Sequence, residues 1–469
     1  MQELTIPLQG GRPLYEQIYE YLKSEIQTGA MKAADRLPSS RHLAEHLQVS
    51  RSTVNMAYEQ LASEGYIESR RGSGYFVTGL EGQLRIPAAP ADSRRKTLEA
   101  EKTMKVDFSP RGIDVSTFPR RTWGRLSREV LGGENSELFG NGMSQGEPAL
   151  RRAICGYLHA ARGVNCSEDR VVIGAGNEYL LMLLHQILGS VTVAMENPTY
   201  KQAWRILSGM GCRMEPVEMD AWGMRTDLLN RTEAQIVYVM PSHQYPTGIV
   251  MPIKRRMELL AWAGSAEGRF VIEDDYDSEF RYKGKPIPSL QGVDAADRVI
   301  YLGTFSRSIA PAIRVSYMVL PEQLAEVYRE KCGFYASTVS RVDQAILARF
   351  LSEGYFERHL NKARALYRNK HEILLQSLKP LEKWFVLRGE HAGLHLLLQE
   401  RPELPFVSEQ ELIGAAEQEG VRVYGLSGYE IHSHQPSTVL LGYANLSQQE
   451  IREGAELLAC AWGRVFRGN

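Results

Sequence analysis

The chain has 469 residues, a formal net charge of −1, 43% hydrophobic and 24% charged residues; this length exceeds one core and predicts two or more domains, while the balanced charge excludes a global attraction to nucleic acid or membrane. Five scattered cysteines, Cys155, Cys166, Cys212, Cys332 and Cys460, never form a C-x-x-C pair, which speaks against a disulfide framework or a metal site and fits the reducing cytoplasm. The start "MQELTIPLQGGRPLYEQ" has no apolar core behind basic residues, and the stretches free of Asp, Glu, Lys and Arg, such as 234–253, are broken by prolines and polar residues, so neither secretion nor membrane spanning is expected.

The first predicted element is a helix from Pro13 to Thr28, with Leu14, Ile18, Leu22 and Ile26 in one stripe and Gly29 as its stop. A short helix capped by Ser39 or Ser40 follows. A longer one, capped by Ser50, turns Val54, Ala57, Tyr58 and Leu61 inward. After Gly65, "YIESRRGSGYFV" alternates about a Gly-Ser-Gly turn as a small hairpin. Residues 1–79 therefore read as a winged helix-turn-helix. Residues 80–105, rich in Pro, Ala and charge, read as a linker.

From 106 to 469, apolar runs such as "RVVIGAG", "VTVAMENP", "AQIVYVMP", "RFVIEDD" and "RVIYLGTF" alternate with helical stretches. Buried parallel strands with crossover helices give this pattern. From about residue 355, a long amphipathic helix, the strands "GLHLLLQ", "VRVYGL" and "TVLLGYA", and a last helix form a smaller α+β lobe extending to 469.

In a helix-turn-helix, the second helix enters the major groove. Its first turn here is Ser50, Arg51, Ser52 and Thr53, with Asn55 one turn on; Arg grips guanine, Asn pairs with adenine, and hydroxyls bind phosphate. Charge gives no such signal, because residues 1–78 hold eight Lys/Arg against nine Asp/Glu. Resemblance does: "LPSSRHLAEHLQVSRSTVNMAYEQLASEGYIESRRGSGYFV" is similar nearly end to end to the DNA-binding domain of GntR-family bacterial regulators. That resemblance implies contacts to a double-stranded operator from Arg41, Ser50, Arg51, Ser52, Thr53, Asn55, Arg71 and Gly72.

The segments "VVIGAGNEYLLML", "MENPTY", "MPSHQYPTG", "VIEDDYDSEFRY" and "YLGTFSRSIAPAIRVSYMVLP" occur in the order and approximate spacing of fold-type I aminotransferases. With the GntR-like head, the whole chain resembles the MocR subfamily of regulators. The implied fold is a winged helix-turn-helix joined to an α/β aminotransferase class I/II-like domain, with a large parallel-sheet lobe and the small lobe. For pyridoxal phosphate, the resemblance implies Asp274 at the pyridine nitrogen, Tyr276 at the phenolic oxygen and Tyr200 on the ring face. The phosphate falls to the N–H groups of Ala175, Gly176 and Asn177 with Thr304, Ser306 and Arg314, the last seven residues beyond 307.

Departures from that pattern matter as much. Arg307 replaces the Schiff-base lysine, and a guanidinium is always protonated and poorly nucleophilic, so no catalytic residue is assigned. Leu440 and Gln202 fall where relatives hold arginines for a substrate carboxylate, while Lys283 and Lys285, in a loop beyond the acidic strand, are neighbouring lysines from which the missing amine could be replaced. The reading is a regulator that senses a small effector, with pyridoxal phosphate or an amino-acid adduct held noncovalently, working as a head-to-tail homodimer. An active aminotransferase with a DNA-binding appendage and a DNA-binding dimer with a ligand-free lobe are the alternatives.

Overall fold

The computed structural model describes residues 6, 12–79, 104–133, 136–282, 288–390, 393–432 and 436–468. The expected linker, apart from 104 and 105, and the loop with Lys283 and Lys285 lie outside the described residues. The chain divides into two compact units, Met1–Glu101 and Lys102–Asn469.

In the first unit, α1 (Leu14–Thr28) buries Ile18, Leu22 and Ile26, spaced at one turn each, and ends at Gly29, whose φ of 81° allows its N–H to reach back to Ile26. Leu14, expected in the same stripe, is instead exposed because it opens the first turn. Ser39 caps α2 (Ser40–Leu47) and Ser50 caps α3 (Arg51–Ser63), each accepting an N–H from its helix's first turn. Val54, Ala57, Tyr58 and Leu61 of α3 are fully buried against α1 and α2. Strands β1 (Ile67–Arg70) and β2 (Gly74–Val77) form the antiparallel wing.

The second unit is built on an eight-stranded sheet. Its strands in chain order are β4 (Val171–Gly174), β5 (Thr192–Asn197), β6 (Arg213–Asp220), β7 (Gly223–Met224), β8 (Ile236–Val239), β9 (Phe270–Asp275), β10 (Val299–Thr304) and β11 (Ser316–Val319), following a two-residue β3 (Val106–Asp107). The spatial order is β4-β11-β10-β9-β8-β5-β6-β7. Strands β10, β9, β8, β5 and β6 run parallel, but β11 is antiparallel to both neighbours and β7 to β6, so the sheet is mixed, not purely parallel. The cause is the connection 305–315, which carries no crossover helix and returns the chain directly beside β10. Apolar side chains cover both faces, as the near-continuous Val/Ile runs require.

The small lobe holds β12 (Phe385–Arg388), β13 (His395–Glu400), β14 (Val421–Arg422), β15 (Tyr424–Gly425) and β16 (Thr438–Gly442). It is not confined to the residues after 355: β3 pairs with β14, and Phe108 is fully buried in the same core. The helix Tyr355–Leu378 serves two cores, placing Phe356 and Leu360 among large-lobe side chains and Leu374 and Leu378 among those of the small lobe. Among the described residues, no helix is long and apolar enough to cross a membrane.

Candidate functional site

At the start of α3, Ser50 Oγ accepts the Thr53 N–H at 3.2 Å and lies 2.7 Å from both Ser52 Oγ and Thr53 Oγ1. The three hydroxyls are thus linked at the positive end of a helix, an arrangement suited to phosphate. Arg51 is exposed, with Nε donating to Ser40 Oγ at 3.4 Å, and Asn55 is half-buried one turn on. Arg41 projects from α2 and pairs with Glu45 at 3.1 Å, an exposed i,i+4 contact of roughly 0.3–0.5 kcal/mol that a phosphate can displace. Arg71 and Gly72 form the wing turn, where the Gly72 φ of 78° suits glycine. Sequence reasoning missed Met56, which α3 exposes outside its buried stripe. An apolar residue at an outward helical position was the available signal, and such a side chain can pack on a thymine methyl.

In the second unit, a cavity of about 220 Å³ opens at the carboxyl ends of the parallel strands. Asn177, Tyr200, Asp274, Tyr276, Thr304, Ser306 and Arg307 line it, together with Arg111, Gln202, Met240 and Tyr245. The strand period of two divides the acids of β9. Glu273 accepts the N–H groups of Leu290 and Gln291, each at 2.8 Å, and Asp275 pairs with Arg162 at 2.8 Å. Asp274 points the other way, where the Tyr238 hydroxyl and, at 3.3 Å, the Asn177 amide donate to its carboxylate. Burial pushes Asp274 up to about 7; the Tyr238 hydroxyl opposes this and the charge of Asp275 adds to it.

Tyr276 Oη lies 2.9 Å from His243 Nδ1, which is itself 2.9 and 3.1 Å from the two oxygens of Asp277. This chain of polar atoms fixes the phenol at the cavity wall. Burial pushes the Tyr200 phenol up to about 12, so it stays neutral. Arg307 donates to the carbonyls of Pro110 at 3.0 Å and Gly112 at 3.4 Å, with its guanidinium 5.9 Å from the centre of the Tyr276 ring. It thereby holds the 110–112 loop against the cavity.

The expected phosphate cradle is brought together only in part. Thr304 and Ser306 reach the cavity, whereas Ala175, Gly176 and Arg314 do not line it. The Ala175 N–H donates to Thr338 Oγ1 at 3.0 Å, and the Gly176 N–H to the Gly174 carbonyl at 2.9 Å. Arg314 pairs with Glu178 at 2.8 Å. Burial would raise the Glu178 carboxyl, but its own backbone N–H and the Arg314 guanidinium hold it below the ordinary value. Only glycine tolerates that arrangement at 176: its φ is 101°, and a Cβ there would lie 2.2 Å from Arg314 Nη2. Leu440 is fully buried in β16 and packs in the core, while Gln202 reaches the cavity and donates to Glu178 at 2.9 Å.

Sequence reasoning missed Arg111, Tyr238, Tyr245 and Glu178. A hydroxyl inside the apolar run "IVYV" was the signal for Tyr238, since a buried phenol needs a partner. For Arg111 the signal was an arginine between Pro110 and Gly112.

A sequence model described as "Bacterial regulatory proteins, gntR family" matches residues 14–77, and one described as "Aminotransferase class I and II" matches residues 121–458. The chain is 40% identical to the HTH-type transcriptional regulator YdeL of Bacillus subtilis, over 96% of this chain and 97% of that protein. It is 34% identical to the probable rhizopine catabolism regulatory protein MocR of Rhizobium meliloti, over 96% and 94%. Among solved structures, the multiple substrate aminotransferase of Thermococcus profundus superposes with a TM-score of 0.69 at 24% identity, over 78% of this chain and 93% of that one, a likeness of fold.

Proposed function

The chain belongs to the GntR-type bacterial transcription regulators that carry an aminotransferase class I and II domain, the type of MocR, and from that premise we propose that its second unit is a receptor for a vitamin B6 phosphate, held without a covalent bond. The observation carrying this reading is one cavity in which Asp274, Tyr276 and Tyr200 converge with a guanidinium, that of Arg307, and with no amine among the described residues that line it.

The described residues fit the ring of such a group. Asp274 is a buried acid whose ordinary ionisation is suppressed by its surroundings, so a protonated ring nitrogen opposite it offsets the cost of burying its charge. Tyr276 offers a hydroxyl at a fixed position, and Tyr200 offers an aromatic surface. At the phosphate end, Thr304, Ser306 and Arg307 would act, with Arg314 available once it leaves Glu178. When bound, the group supplies a reactive carbonyl and an electron-poor ring. The chain's own part is to orient it and keep it from an amine: the guanidinium of Arg307 cannot attack a carbonyl carbon as a neutral amine does.

In this proposal, Arg41, Ser50, Arg51, Ser52, Thr53, Asn55, Arg71 and Gly72 form the DNA-contacting surface, and ligand binding alters which operator spacing a head-to-tail homodimer spans. Calorimetry of the full chain with pyridoxal phosphate and pyridoxamine phosphate tests the receptor, with borohydride treatment and intact-mass analysis alongside. Binding of both with no added mass is expected. A borohydride-fixed adduct, or steady exchange of amino groups between an amino acid and a keto acid, would establish the catalytic alternative.

A further inference from the structure

A second cavity, of about 740 Å³, adjoins the first and shares Arg111 and Gln202 with it. Its charge is one-sided. Arg111, Lys201 and Arg205 line it against a single acid, Glu409. That acid is already engaged, because the N–H of Ser427 donates to it at 3.1 Å and the Ser427 hydroxyl donates as well. The three cations have no carboxylate within ion-pair distance among the described residues. Lys201 and Arg205 stand four residues apart on the helix Lys201–Gly209, a like-charge spacing that disfavours the helix on its own. Arg111 is positioned at the junction, lining both cavities with phenols around it: Tyr245 in the first and Tyr429 in the second, the Tyr245 hydroxyl donating to Tyr429 Oη at 2.9 Å.

We infer that Arg111, backed by Lys201 and Arg205, binds an acidic extension of the ligand whose ring occupies the tyrosine-walled cavity. The effector is thus an elongated molecule with an acid beyond its ring and phosphate, of the class of an amino-acid adduct with a side-chain carboxylate. This rests on the receptor reading above. Cavity size supports it, because a lone pyridine phosphate leaves the larger, basic space unfilled. Chemistry supports it too: a guanidinium fork grips a carboxylate through paired hydrogen bonds.

The test uses the full chain and three stable probes: pyridoxamine phosphate, N-(5'-phosphopyridoxyl)-L-leucine and N-(5'-phosphopyridoxyl)-L-glutamate. The last two share an α-carboxylate and differ in side-chain charge. The wild-type protein is expected to bind the glutamate probe roughly tenfold tighter than the leucine probe, the worth of about one charge-assisted hydrogen-bonded contact. The ratio of the two dissociation constants is the readout, so a general loss of affinity does not imitate the effect. Arg111→Gln and the pair Lys201→Gln with Arg205→Gln should each bring the ratio below about threefold. A wild-type ratio near one, or a ratio that survives both neutralising variants, overturns the inference while leaving the receptor reading intact if pyridoxamine phosphate still binds. Failure of all three probes to bind overturns both.

Discussion

Replacing Asp274 with asparagine should stabilise the protein and cripple its receptor at the same time. The carboxyl is buried and pushed from its ordinary 3.8 up to about 7, chiefly by burial. In the unfolded chain it releases its proton near the ordinary value, so between about pH 4 and 7 the native state binds more protons than the unfolded one. Stability therefore falls with rising pH across this window and levels off above it. Ionising this buried carboxyl costs about 4 kcal/mol of stability at pH 8. Asparagine carries no such liability, and its carbonyl oxygen can still accept from Tyr238. Urea unfolding of the second unit at pH 4, 6 and 8 should show the two proteins nearly equal at pH 4 and the variant more stable by about 4 kcal/mol at pH 8. Pyridoxamine phosphate should bind the variant at least about a hundredfold more weakly at pH 8, since a buried charge pair missing one member loses roughly 3 kcal/mol or more. A stability difference independent of pH, or undiminished binding, would refute the assignment of Asp274 as the buried acid facing the ring.

Arg307→Lys returns an amine to the cavity at the cost of the contacts to Pro110 and Gly112, so the variant should gain a borohydride-fixed adduct of pyridoxal phosphate that mass spectrometry counts as one per chain, with stability lower by about 1–2 kcal/mol. Absence of that adduct in a variant that still binds the cofactor would show that position 307 does not reach the carbonyl carbon. Glu178→Gln releases Arg314 from an ion pair that is one-third to one-half exposed, and should tighten pyridoxamine phosphate binding by about threefold; unchanged affinity would keep Arg314 out of the phosphate site. Arg51→Ala should weaken sequence-specific binding by about 1–3 kcal/mol in gel shifts and relax specificity at the contacted base pair.

The first unit was largely legible because its signals are local. Val54, Ala57, Tyr58 and Leu61 repeat at the helical period, and Ser39 and Ser50 precede helices they were free to cap. The second unit was legible as strands and helices, but strand direction was not, since the apolar run "SYMV" of β11 serves either direction and only the length and content of 305–315 decide. β3 was beyond reach because two residues carry no periodicity. At the cavity, the 307-to-314 interval placed Arg314 in the phosphate cradle but could not reveal that Glu178, 136 residues away, takes the arginine. Tyr238 meets Asp274 across neighbouring parallel strands, a register that emerges only when the sheet forms.

The charges left in the cavity narrow what can occupy it. Arg307 and Arg111 are permanent cations, while Asp274 is close to half protonated near pH 7. An anion alone satisfies the arginines but leaves Asp274 a buried acid with no cation opposite it. A simple amine meets Asp274 but is repelled by two guanidinium groups. A molecule that carries a protonated ring nitrogen at one end and acids at the other answers both demands, and it answers them cooperatively, because ionising Asp274 becomes favourable only when the ring nitrogen stands opposite. Binding should therefore release a proton from Asp274 below about pH 7, a quantity that calorimetry in buffers of different ionisation enthalpy measures directly. That coupling makes the pocket selective for a zwitterion without requiring any group in it to form a bond.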